Sequence, residues 1–254
     1  MTIPTNNICR TVKSLEQSKH RRKENAFKAE GSKCVRDTIK HFNLRGLYAL
    51  PEWLAANKDI VESISSNLIY GCKRSDIAKM SSLTTPSDVI AVYDIPERDF
   101  STVDASDKLI LALDTIQDPG NMGTIIRVAD WFGIRDIISS AETVDCYAPK
   151  VIQSTMGSIS RVAVHYGNLP EMISKVNAPA VYGTFLEGKI ISDYQLGTSG
   201  VIIIGNEGKG ISDKVAQTVT DKLFIPSYPH GEVTGESLNA AIATAITLAK
   251  FRGV

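Results

Sequence analysis

The stretch LILALDTIQDPGNMGTIIRVAD, residues 109–130, decides how the chain is read. Its first five residues are an unbroken apolar run, the pattern of a strand buried on both faces. The run stops at Asp114. Asp118-Pro119-Gly120-Asn121 is a turn sequence that places Asn121 to cap a following helix, and apolar residues then recur at helical spacing through residue 132. Strand, turn and helix in that order make the first part of a βαβ unit.

The same alternation continues downstream. Strand-like runs DIIS (136–139), VAVHY (162–166), AVYGTF (180–185), VIIIG (201–205) and KLFIP (222–226) are interleaved with helical patterns near 149–156, after Pro170 and over 237–251. Such alternation predicts an α/β domain with a parallel, Rossmann-like sheet covered by helices on both faces. Ligands of such sheets lie at the carboxyl ends of the strands, so the residues just after each apolar run are the candidates for function.

Upstream, residues 15–96 read as a smaller α/β domain. Helical patterns over 15–23 and 34–42 accompany strand-like LRGLYAL (44–50) and VIAVYDI (89–95), with Pro51-Glu52-Trp53 as a helix start. The polar run PERDFSTVDASDK (96–108) separates the two. The expected organisation is an N-terminal domain over 1–100, a linker over 101–107 and a C-terminal domain over 108–254.

Composition narrows the classes. The 254 residues are 43% hydrophobic and 22% charged, which excludes disorder and a fibrous repeat. No apolar run approaches the roughly 18–20 residues that cross a bilayer, and MTIPTNNICR lacks the order of a secretory signal, so a cytoplasmic protein is expected. Cys9, Cys34, Cys72 and Cys146 form no CxxC pair and are read as free thiols. His20, His41, His165 and His230 are scattered, which gives no metal-ligand spacing. Net charge is zero, yet between Arg10 and Arg45 eleven basic residues face four acidic ones. A solvated helical face is the plain alternative, but the excess favours a phosphate-backbone partner.

Three loops carry the candidate chemistry. In the first, Arg127 lies in an otherwise apolar helical stretch, where a guanidinium needs an anionic partner or solvent; a structural salt bridge is the plain alternative. The second, GNEGKGIS (205–212), has three glycines that let backbone approach a ligand. It is neither a Walker A loop nor a G-x-G-x-x-G turn, and a strand-to-helix turn capped by Ser212 explains it nearly as well. The third runs from Ile225-Pro226 to Ser237-Leu238-Asn239, with Ser237 as the expected cap of an Ala-rich helix.

In this order, DPGNMGTIIRVAD, IGNEGKGIS and IP-(loop)-ESLNAAIA resemble the three motifs of the SpoU family of RNA ribose 2′-O-methyltransferases, in the SPOUT superfamily. STMGSISR (154–161) is similar to the family's segment between the first two motifs, KHRRKENAFKAEGSKCVRDTI (19–39) to its substrate-binding domain, and SLTTPSDVIAVYDIP (82–96) to that domain's closing strand. The resemblance implies a deep trefoil knot in the C-terminal sheet, where the sequence pattern alone suggests an unknotted one. It also implies a small ribosomal-protein-like RNA-binding domain before it, S-adenosylmethionine as cofactor without a metal, and a homodimer.

By the same resemblance Arg127, Asn121, Glu207, Ser237 and Asn239 form the catalytic set. Thr184, Gly205, Asn206, Gly208, Ile225, Pro226 and Leu238 hold the cofactor, while the basic excess assigns Lys19, Arg21, Arg22 and Lys23 to RNA phosphates, in ribosomal RNA before transfer RNA. Two departures stand out: Ser227 follows Ile-Pro where the family usually has methionine, with a longer passage to Ser237, and Val128 follows Arg127 where it commonly has threonine. The competing readings are a catalytically silent RNA-binding protein and, third, a nicotinamide-dependent dehydrogenase. The dehydrogenase lacks its glycine fingerprint here and the acidic residue expected some twenty positions later.

Overall fold

A computed structural model describes residues 2–229, 235 and 237–254, which fall into two compact units. One is drawn from Met1–Glu97 together with Asp145–Ser160, the other from Arg98–Val144 and Arg161–Val254. From Arg98 on, the polar run read as a linker belongs to the second unit: Val103 and Ala105 are buried in its core, and the Ala105 amide donates to the Val176 carbonyl at 2.7 Å.

In the first unit, β1 (Ala26–Glu30), β2 (Leu44–Ala49), β3 (Ile69–Gly71) and β4 (Val89–Asp94) form a sheet in the order β1-β4-β2-β3, with only the β2–β3 pair parallel. Thr5 caps the helix Asn6–Ser14 by accepting from the Ile8 amide, an element the sequence reading did not foresee. The basic helix Ser18–Glu24 ends where Asn25 turns left-handed at φ 46°. The Asp145–Ser160 segment contributes the helix Pro149–Thr155, which packs on β1, and Tyr147, whose ring lies 4.7 Å from that of Phe27.

The second unit holds β5 (Leu109–Leu113), β6 (Asp136–Ser140), β7 (Ala163–Gly167), β8 (Val181–Phe185), β9 (Lys189–Ile190), β10 (Gly200–Ile204) and β11 (Asp221–Phe224). They form one wholly parallel sheet in the order β7-β6-β5-β10-β8-β11-β9. Every residue of β5 and β10 is buried, as their unbroken apolar runs require.

Two caps differ from expectation. Pro119 has no amide hydrogen and suits the first position of the helix Pro119–Trp131, so Asp118 becomes its cap and accepts from the Asn121 amide at 2.8 Å. Asn121 is thereby freed for other contacts. The last helix is Ala240–Phe251, capped by Asn239, whose Oδ1 accepts from the Ala241 and Ile242 amides; the Ser237 hydroxyl is engaged elsewhere. Of the long passage after Ile225-Pro226, residues 230–234 and 236, including His230, lie outside the described residues.

Candidate active site

From β5 the sheet continues one way through β6 and β7 and the other way through β10, β8, β11 and β9. The loops after β5 and β10 therefore leave adjacent strand ends on either side of the reversal, where open α/β sheets bind ligands. The strands run in register, Leu113 opposite Ile204, and the Asp114 amide extends the ladder to the Ile204 carbonyl at 2.9 Å.

Side chains then join the loops. Asp114, 3% exposed, accepts from the Ser212 amide at 2.7 Å through Oδ2 and from the Thr115 hydroxyl through Oδ1. Thr115 is left-handed at φ 60°, a conformation rare for a β-branched residue and typical of strained functional sites. Its carbonyl accepts from Asn206 Nδ2 at 2.9 Å, while Asn206 Oδ1 accepts from the Gly208 and Lys209 amides. Asn206 and Gly210 exchange backbone hydrogen bonds of 3.0 and 2.8 Å, closing a tight loop. A Cβ at Gly205 would lie 2.4 Å from backbone atoms of Gly210 and Ile211, so only glycine fits that crossing.

Above this base, Asn121 Nδ2 donates to Glu207 Oε1 at 2.5 Å, and Asn239 Nδ2 donates to Asn121 Oδ1 at 2.9 Å. The Ser237 hydroxyl donates to the Glu207 carbonyl at 3.2 Å. Four of the five expected catalytic residues thus form one hydrogen-bonded chain spanning all three motifs. The fifth, Arg127, is exposed and has no hydrogen-bond or ion-pair partner among the described residues, so the salt-bridge alternative does not hold there.

A cavity of about 600 Å³ opens beside the chain. Thr184, Gly205, Asn206, Gly208, Ile225 and Leu238 line it, along with Glu207 and Ser237; Pro226 is not among its lining residues. Phe185, Leu186, Glu187 and Lys209 also line it and were not singled out from sequence. The first three end or follow the 180–185 run, so the strand-end rule alone could have found them. Among the described residues no cluster of His, Cys, Asp or Glu could hold a metal ion, and no helix is long and apolar enough to cross a membrane.

In the first unit the expected RNA contacts divide. Lys19, Arg22 and Lys23, at positions i, i+3 and i+4 of the helix Ser18–Glu24, are exposed on one face. Arg21 is 2% exposed: its NH1 donates to the Leu15 and Glu16 carbonyls, and its Nε and NH2 donate to Asp145 Oδ2 at 2.9 and 2.6 Å. Its assignment to RNA is corrected, because a buried guanidinium held by two carbonyls and a carboxylate cannot grip a phosphate. Arg21 is a structural residue.

Comparison with known proteins agrees with this architecture. The SpoU rRNA Methylase family model matches residues 108–249, and the MRM3-like substrate binding domain model matches residues 6–91. A 23S rRNA guanosine 2′-O-methyltransferase of Bacillus subtilis (strain 168) is 30% identical over 95% of this chain and 94% of that protein. A TrmH-family structure from Porphyromonas gingivalis shares 33% identity over 98% of both chains, with a TM-score of 0.85. An rRNA methyltransferase of Sinorhizobium meliloti, solved with S-adenosylmethionine bound, shares 27% identity over 100% of this chain and 97% of that one, with a TM-score of 0.86. The chain belongs to the SpoU rRNA methylase family, with an N-terminal substrate-binding domain ahead of the methylase fold.

Proposed function

We propose that this protein methylates a ribose 2′-hydroxyl of RNA, ribosomal RNA before transfer RNA, using S-adenosylmethionine. The observation that carries the reading is the chain Asn239, Asn121, Glu207 beside the 600 Å³ cavity at the sheet's reversal point. The cavity combines apolar walls, Ile204, Ile225 and Leu238, with the peptide groups of residues 205–210, a donor set suited to an adenine ring and the polar ends of the cofactor. When bound, the cofactor supplies an electrophilic methyl group on a sulfonium.

The protein's part is to orient the acceptor hydroxyl and manage its proton. Orientation alone can supply roughly 7–11 kcal/mol by analogy with intramolecular reactions. Exposed and unpaired among the described residues, Arg127 is free to grip the neighbouring phosphate and stabilise the developing alkoxide. A guanidinium has five N–H donors and no acceptor, so it is a poor base. Glu207 is engaged by Asn121, which fits a loop-ordering role. Strong pairing to a positive charge that vanishes in the transition state would favour the ground state instead. Ser237 and Asn239 order the same loops.

We assign RNA gripping to residues 1–100 through Lys19, Arg22 and Lys23 and chemistry to residues 108–254; residues 101–107 join the two in sequence but pack into the second unit. The trefoil threading implied by the motifs is part of the same proposal, as is action in the cytoplasm, away from membranes. A homodimer is supported by Trp131, 85% exposed, and by the exposed Ile242 and Ile246, carried on the two helices that flank the site and pack on each other. The test is transfer of labelled methyl from S-adenosylmethionine to total RNA separated into ribosomal and transfer pools. Label in ribosomal RNA is expected, label confined to transfer RNA would redirect the substrate assignment, and no label in either pool would contradict the activity.

A further inference from the structure

A second cavity, about 170 Å³, lies within the first unit, remote in sequence from the three motifs. Apolar Ile8, Val12, Leu15, Ala26 and Val92 line it together with the polar Asn7, Thr11, Glu24 and Arg45. Tyr48 also lines it, only 7% exposed, yet its hydroxyl has no hydrogen-bond partner among the described residues. The hydroxyl is not among the fully buried unpartnered atoms, so it is open to the cavity and to whatever enters it.

The tyrosine's pose is built in. β2 is irregular in register between Leu44 and Gly46, and a Cβ at Gly46 would lie 2.9 Å from Tyr48 Oη and 3.1 Å from its ring carbons. Glycine at 46 therefore lets the ring lie over the strand, while Tyr70 stacks on it at 4.8 Å. Burial pushes the Tyr48 pKa up, so the hydroxyl remains a proton donor at neutral pH. Glu24 stands at the cavity with its carboxylate unpaired among the described residues. It is also the last residue of the helix that exposes Lys19, Arg22 and Lys23.

We propose that this cavity receives one unstacked nucleobase of the RNA strand whose phosphates the Lys19–Arg22–Lys23 face holds, with Tyr48 Oη donating to a ring nitrogen or carbonyl of the base and Glu24 accepting from an amino or imino group. The apolar side chains cover the faces of a planar base, and the Tyr48 hydroxyl and Glu24 carboxylate read its edge beside Thr11 and Arg45, which are engaged by the Asn7 carbonyl and by Asp94; sequence-selective RNA recognition works on such splayed bases. The phosphates beside it fix position without regard to sequence. The proposal rests on the N-terminal unit being the RNA-gripping one, and it adds a point of base discrimination there.

The test uses the full-length protein and four single-stranded probes, A12, C12, G12 and U12, measured by fluorescence anisotropy across a salt series, with Tyr48→Phe, Glu24→Gln and Arg22→Ala/Lys23→Ala. The wild type should prefer one probe. Tyr48→Phe and Glu24→Gln should each shrink that preference by about three- to tenfold, the loss of one hydrogen bond, with salt slope and melting temperature unchanged. Arg22→Ala/Lys23→Ala should weaken all four probes alike and flatten the slope. Equal wild-type affinity for the four probes, or an unaltered preference in both Tyr48→Phe and Glu24→Gln, would overturn the base pocket. So would saturable binding of a free nucleoside that depends on Tyr48 while the probes bind unchanged, which would make the cavity a small-molecule site. Methyl transfer to total RNA, read in parallel on the wild type, reports separately on the proposed activity.

Discussion

Asn121 and Glu207 meet through an amide-to-carboxylate hydrogen bond of 2.5 Å, although one belongs to the helix after β5 and the other to the loop after β10. Because Asn239 donates to the same Asn121 side chain, a single amide ties together the three segments that make the site. Asn121→Asp would set two carboxylates against each other and remove the donor. A hydrogen bond to a charged group is worth about 1.5–3 kcal/mol, so turnover should fall by at least about tenfold and affinity for S-adenosylhomocysteine should fall with it. Glu207→Gln keeps an acceptor oxygen and should be milder on both measures. Calorimetry with single-turnover assays checks the order, and a harsher effect from Glu207→Gln would contradict the loop-ordering role.

Arg127→Ala should leave the melting temperature and S-adenosylhomocysteine binding unchanged, since Arg127 is exposed and unpaired among the described residues. Turnover should drop by about 100-fold or more, as expected when a charged transition-state contact is removed. Near-normal turnover would remove Arg127 from the mechanism, and a large loss of stability would restore the salt-bridge reading.

Gly205→Ala should abolish cofactor binding even though it adds one methyl group. The new Cβ would fall 2.4 Å from the backbone of Gly210 and Ile211, and backbone cannot rotate away as a side chain can. Gly208→Ala is the control: its Cβ would meet nothing nearer than Asn206 Oδ1 at 3.7 Å. Equal calorimetric affinity for S-adenosylhomocysteine in the two variants would show that the crossing at Gly205 does not shape the cavity.

Arg21→Ala and Arg22→Ala, neighbours in sequence, should fail in different ways. The first strips donors from two carbonyls and from Asp145 and should cost about 2–4 kcal/mol of stability, read by urea unfolding. The second should melt like the parent and reduce the salt slope of RNA binding by about 0.7–0.9. The reverse pattern would contradict the division of the basic stretch into an inward and an outward set.

Much of the architecture was legible because buried parallel strands have unbroken apolar runs; β5 spans the residues read as LILAL. Short edge elements were not. Ile69–Gly71 and Lys189–Ile190 are held by neighbouring strands more than by their own composition. The caps at Asp118 and Asn239 were missed in favour of Asn121 and Ser237 because all four are capping residue types, and only the backbone course selects among them. The assembly of Asn121, Glu207, Ser237 and Asn239 follows from motif order plus the strand-end rule. The burial of Arg21 could not be read locally, since its carboxylate partner, Asp145, lies 124 residues away. Thr115 gave no signal at all: nothing in its type predicts a left-handed backbone.

Of all measurements, the chemical position of the transferred methyl tests the account most directly. RNA labelled by the protein with S-adenosylmethionine carrying a radioactive methyl group is hydrolysed in alkali and separated by charge. Label is expected in alkali-resistant dinucleotides, because a methylated 2′-oxygen cannot attack its own phosphodiester, with release of a 2′-O-methylnucleoside on complete enzymatic digestion. Label that runs with mononucleotides and is recovered only on the bases would contradict it.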